Sequence, residues 1–155
     1  MCKHSKNQPP TPGPNGKCPS SEFKDLDPNL EDCYHFMLDG HLDVTWNEAH
    51  KNCQNKGFGS NLASVHTKEE MSKISGELQT HEKDVWLGLF VKNNKQVFWV
   101  DDTPVDFTNW EDGEPNGNGN ELCVEMYKFN GKWNDAACET GLNRGYICKA
   151  KKGKT

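Results

Sequence analysis

Two short motifs and one acid between them carry the oxygen chemistry of this chain. Glu114-Pro115-Asn116 comes first, Glu121 follows, and Trp133-Asn134-Asp135 closes the set. Together they offer three carboxylates and two amide carbonyls, all hard oxygen donors. A calcium ion takes about six to eight such ligands, whereas magnesium keeps more water and zinc favours His or Cys. The carboxylates bring charge, and the amides bring oxygen without adding repulsion. Gly117 and Gly119 let the backbone turn between the first motif and Glu121. Taken singly, each of these residues reads as part of a solvated turn. It is their combination that points to a cation.

The elements that must hold them alternate along the chain. The segment Cys33 to Met37 reads as a strand. Thr45-x-x-Glu48 is a capping box, with Trp46, Ala49 and Cys53 following at helical spacing and Gly57 as a stop. Thr67-x-x-Glu70 is a second box, opening a helix whose buried stripe would be Met71, Ile74 and Leu78. Val85 to Val91 is a near-continuous apolar run, the pattern of a buried central strand. Val97 to Val100, Leu122 to Tyr127 and Tyr146 to Cys148 read as further strands, which makes the fold class α+β. Asp101 to Asn120 is a long polar stretch rich in Gly, Pro, Asn and Asp, and a loop of that length in a small domain is usually functional. Trp86, Trp99, Trp110 and Trp133 read as anchors of core and loop.

With 155 residues the chain holds one domain. Residues 1–17, with Pro9, Pro10, Pro12 and Pro14, read as a flexible arm; residues 18–149 form the domain, and 150–155 a short, solvated basic tail. Hydrophobic content is 33% and mean hydropathy −0.93, so apolar burial needs reinforcement. Seven cysteines without a CxxC pair supply it, and they fit an oxidising, secreted setting better than a zinc ribbon. A net charge of −5 gives no field to gather phosphates, which argues against nucleic acid. No apolar run approaches a membrane span, so no membrane insertion is expected.

The motifs in their order, Cys33-Tyr34-x-Phe36, the helix around Trp46, Trp86-Leu87-Gly88-Leu89, Glu114-Pro115-Asn116, Glu121-x-Cys123 and Trp133-Asn134-Asp135, resemble the C-type lectin domain, long form, of the mannose-type EPN class. The resemblance spans residues 18 to about 149. It implies two helices flanking antiparallel sheets, a long calcium-binding loop region, and bridges Cys18–Cys33, Cys53–Cys148 and Cys123–Cys138. It further implies Ca2+ held by Glu114, Asn116, Glu121, Asn134 and Asp135, with Pro115 cis. Glu114, Asn116, Glu121 and Asn134 would also contact vicinal hydroxyls of mannose-, fucose- or N-acetylglucosamine-type glycans, whereas a Gln-Pro-Asp order goes with galactose. Acids that hold a second calcium in many relatives correspond here to Val91, Lys95, Gly117 and Leu122, so one calcium is expected. Three bridges leave Cys2 over, free or joining two chains into a disulfide-linked homodimer.

Catalysis is the weaker reading. Glu114 with Glu121, or Glu125 with Asp135, could imitate a glycosidase pair, but a general acid needs a raised pKa, and acids around a cation are depressed. A module of the same fold that binds a protein or another non-sugar surface is the stronger rival.

Overall fold

The computed structural model describes residues 16–92, 96–117, 122–140 and 142–153. Glu121, Gly119, Lys95 and Cys2 lie outside them. Within them the order is β1 (Asp32–Met37), α1 (Trp46–Asn55), β2 (Asn61–Leu62), α2 (Lys68–Leu78), β3 (Val85–Lys92), β4 (Gln96–Trp99), β5 (Leu122–Met126), β6 (Trp133–Ala136) and β7 (Gly145–Lys151).

One sheet runs β1-β7-β3-β5-β6, with β2 added to β7 and β4 to β3. Its pairs are antiparallel except β3 with β7, where Val85 faces Gly145 and Trp86 faces Tyr146 in parallel. The sheet is therefore mixed, which corrects the expected antiparallel arrangement. The closing strand enters beside the start of β3 in the same direction, and one parallel pair results.

Side-chain parity explains how the helices flank this sheet. In β3, Val85, Leu87, Leu89 and Val91 pack with Met71, Ile74 and Leu78 of α2. Trp86 packs instead with Trp46, Ala49 and Cys53 of α1. Successive residues face opposite sides of a sheet, so a strand covered on both faces must be apolar throughout. That is the physical cause of the apolar run. At Gly88 a Cβ would stand 2.6 Å from the Leu62 carbonyl oxygen, so β2 can approach only a glycine.

Thr45 caps α1 as a full capping box. Thr67 caps α2 through the Glu70 N–H, but the Glu70 carboxylate does not complete a second box. It accepts from the His66 N–H at 2.8 Å, from Lys149 Nζ at 2.7 Å and from the Tyr34 hydroxyl. Glu70 is 5% exposed, and a buried charge requires such partners. Burial, then the Glu70 charge, holds the Tyr34 phenol far above its ordinary value.

All three expected bridges form: Cys18–Cys33, Cys53–Cys148 and Cys123–Cys138. The second ties α1 to β7 across 95 residues, worth roughly 4 kcal/mol on the chain-entropy account. The expected solvated tail from residue 150 is corrected. β7 runs through Lys151, Ala150 is buried opposite Cys33, and the Gly153 N–H donates to Lys17 O at 3.0 Å. Pairing with β1 outlasts the apolar sequence, because ladder hydrogen bonds do not depend on side-chain polarity.

Candidate functional site

The site is assembled on β6, the edge strand, by the long loop that runs beside it. Trp110 bridges Trp133 in parallel; the Trp133 N–H donates to Asn109 O and the Glu111 N–H donates to Trp133 O, both at 2.9 Å. Trp133 is fully buried against Trp99, Phe107 and Trp110, each ring meeting it edge-on. The aromatic cluster thus fixes the loop just ahead of Glu114-Pro115-Asn116, and the four expected tryptophan anchors act as anchors.

From Glu111 the chain turns, with the Glu114 N–H donating to Glu111 O at 3.0 Å, and the Glu114–Pro115 bond is cis as expected. The turn delivers two backbone donors to one carboxylate. The Asn116 N–H donates to Asp135 Oδ1 at 3.2 Å and the Gly117 N–H to Asp135 Oδ2 at 2.8 Å. Glu114 lies in the same cluster, accepting from the Asn116 N–H at 3.1 Å and from Asn116 Nδ2 at 3.2 Å. Glu114, Asn116 and Asp135 are therefore brought together.

Asn134 precedes Asp135 but faces the other way along β6. Its Nδ2 donates to Glu125 Oε2 at 2.7 Å, which leaves the amide carbonyl for another partner. Glu125 in turn accepts from Arg144 Nε at 2.9 Å, and the Arg144 guanidinium lies 4.3 Å from the Trp86 ring centroid. The sequence offers Glu125 only as a member of a glycosidase-like acid pair, and it gives Arg144 no role. The register Glu125↔Asn134 is the signal that links them, and it exists only once β5 and β6 pair. The same register puts Asp135 opposite Val124, so Glu125 and Asp135 point to opposite faces and do not form an acid pair.

The donor chemistry suits a hard cation. Burial first, and then the hydrogen bond and charge of Asp135, push the Glu114 carboxyl above its ordinary range. Two anions held this close repel, and a divalent cation relieves that repulsion. Among the described residues no group of three His, Cys, Asp or Glu side chains is gathered; Glu114 and Asp135 stand as a pair, and the third expected carboxylate, Glu121, lies outside them. Gly117 owes its place to space. A Cβ there would lie 1.9 Å from Leu122 Cδ1 and 2.8 Å from Asp135 Oδ2.

The fold and this loop define a class. A profile of the Lectin C-type domain matches residues 43–150. The chain is 32% identical over 112 residues to a C-type lectin of Micrurus corallinus, covering 68% of this chain and 70% of that one. Among solved structures, it is similar to the carbohydrate-recognition domain of cow CD23 determined with a GlcNAc2Man3 oligosaccharide, at 30% identity and a TM-score of 0.71, covering 88% of this chain and 98% of that one. It is also similar to a calcium-independent type II antifreeze protein, at 26% identity and a TM-score of 0.70, covering 85% and 93%. The chain belongs to the C-type lectin domain family.

Proposed function

We propose that the chain binds mannose-, fucose- and N-acetylglucosamine-type glycans through one calcium ion held by Glu114, Asn116, Glu121, Asn134 and Asp135, without catalysis. The observation that carries this reading is the convergence of Glu114, Asn116 and Asp135 at the loop–β6 edge. Calcium bound there would supply a Lewis-acidic centre with positions open to two neighbouring sugar hydroxyls. The chain's own residues do the rest. The Glu114 carboxylate accepts from a hydroxyl, and the amides of Asn116 and Asn134 donate to one. The Asn116 and Gly117 N–H groups keep the Asp135 carboxylate aimed, so less freedom is lost on binding. Glu125, compensated by Arg144, positions Asn134 and serves as no acid.

A single ion is supported by the surroundings of Gly117: an apolar Leu122 side chain fills the space where a side chain at 117 would stand. An extracellular setting is supported by the three disulfides. Among the described residues no helix is long and apolar enough to cross a membrane. A disulfide through Cys2 would couple two such sites in a homodimer and raise avidity.

The test is chromatography on immobilised mannose with calcium loading and chelator elution, together with calorimetric titration of calcium. Retention in calcium and release by chelator is the expected result. Failure to bind calcium, or calcium binding with no retention on mannose, fucose or N-acetylglucosamine columns, overturns it and favours the second reading, a non-sugar binding module. The similarity to a calcium-independent antifreeze protein is the observation that keeps that reading in view.

A further inference from the structure

Packing imposes a chemically labile step inside the candidate site. Residue 117 must be glycine, because a Cβ there would stand 1.9 Å from Leu122 Cδ1 and 2.8 Å from Asp135 Oδ2. The residue before it is Asn116, so the loop carries an Asn-Gly step. Asparagine is thermolabile, and most so before glycine, whose missing Cβ leaves the next nitrogen unshielded. The reaction is intramolecular. The Gly117 nitrogen bonds to Asn116 Cγ and gives up its proton, the Cγ–Nδ2 bond breaks, and Nδ2 leaves as ammonia. Water then opens the cyclic imide at either carbonyl, which leaves aspartate or isoaspartate at 116.

In the fold that nitrogen is occupied. The Gly117 N–H donates to Asp135 Oδ2 at 2.8 Å, and the Asn116 N–H donates to Oδ1 of the same carboxylate at 3.2 Å. The amide that would depart is held too, with Asn116 Nδ2 donating to Glu114 Oε2 at 3.2 Å. Asp135 is 7% exposed, so water does not readily replace it as acceptor. To attack, the nitrogen must leave a charge-assisted hydrogen bond, which is stronger than one to a neutral carbonyl. A second step, Asn130-Gly131, is held by a partner of the other kind. Its Gly131 N–H donates to the Tyr127 main-chain carbonyl at 2.9 Å, which no substitution at 135 removes.

We propose that Asn116-Gly117 is a deamidation site guarded by Asp135. The carboxylate that anchors the loop also blocks cyclisation of the asparagine beside it. When the guard is lost, the amide at 116 becomes a carboxylate, and the isoaspartate form adds a methylene to the main chain. Either product removes the Asn116 amide as a donor to a sugar hydroxyl. That consequence rests on the calcium-lectin reading above, whereas the guard itself does not.

The experiment follows Asn116 and Asn130 by peptide mass spectrometry, reading the mass gained from amide to acid while the full chain is incubated warm in chelator. In folded wild type, Asn116 is expected to deamidate about tenfold more slowly than in urea. Asp135→Ala is expected to speed Asn116 about tenfold, and Asp135→Asn, which keeps a neutral acceptor, about threefold. Asn130 should stay within about twofold in both variants, which shows that they are folded. Unchanged Asn116 rates in the folded variants, or folded wild type as fast as in urea, overturn the guard. Amide exchange of wild type needs no variant: the Gly117 N–H is expected to be protected, and exchange as fast as in the unfolded chain also overturns it. Repeating the incubation in calcium separates the two readings. An ion held by Asn116 and Asp135 should slow Asn116 further and leave Asn130 alone; no effect of calcium counts against that ligation and leaves the guard standing.

Discussion

Gly117 and Asp135 meet through a backbone hydrogen bond of 2.8 Å, and a Cβ on residue 117 would stand the same 2.8 Å from the accepting oxygen. The carboxylate oxygen that accepts this bond therefore crowds the space a side chain at 117 would need. Gly117→Ala should force Asp135 to move and weaken calcium about tenfold, the usual cost of disturbing a partner of a metal ligand. Adding Leu122→Ala relieves only the apolar half of the clash, so recovery should be partial. Calorimetric calcium titration of both variants checks this. Wild-type affinity in Gly117→Ala would contradict it.

Glu125 and Arg144 form a buried ion pair, 7% and 12% exposed at their side chains. Removing one member of such a pair strands the other's charge, at about 3–5 kcal/mol. Glu125→Ala should therefore lower urea stability by about that amount and also weaken calcium, because Asn134 loses its acceptor. Glu125→Gln keeps an acceptor and should cost about half as much. Equal stability of the two variants would show that the charge plays no part.

Lys149 reaches Glu70 in the interior between β7 and α2, with side chains 9% and 6% exposed. Lys149→Met leaves the carboxylate with only the Tyr34 hydroxyl and the His66 N–H. A loss of about 3 kcal/mol in urea unfolding is expected. Tyr34→Phe should cost about 1 kcal/mol, since the lysine remains.

Under the proposed calcium binding, protons and the cation compete for Glu114. Its carboxyl is raised, by burial first and then by Asp135, so the folded, metal-free chain holds that proton more tightly than the unfolded chain does. This group thus favours folding at low pH and loses that advantage as pH rises through the raised value. Calcium binding has the opposite sign, because it needs the ionised form. Calcium affinity and mannose retention should fall together below about pH 5. Measured across pH, retention that stays flat down to about pH 4 would count against ligation by Glu114.

Cys2 is the cysteine that the three bridges leave over. A band of twice the monomer mass without reductant, lost with reductant and absent in Cys2→Ser, is the expected result for a homodimer. Equal mobility in all lanes would exclude the interchain bridge.

Local chemistry settled much of this molecule before any folding. The Thr45 box and the Met71, Ile74, Leu78 stripe specify their helices because capping and 3.6-residue periodicity act within a few residues. The apolar run at β3 announces a strand covered on both faces for the same reason. The oxygen-donor types at Glu114, Asn116 and Asp135 were legible because donor chemistry depends on side-chain identity. What tertiary structure decided is everything set by pairing between distant segments. The parallel pair of β3 with β7, the run of β7 through Lys151, and the diversion of Glu70 from its cap to Lys149 arise from partners 60 or more residues away in the chain. The register of β5 against β6 is a shorter-range instance, and it alone turns Asn134 towards Glu125 and Asp135 towards Asn116 and Gly117. A side chain's face follows from strand register, and register is a property of two segments at once, which no single stretch of residues contains.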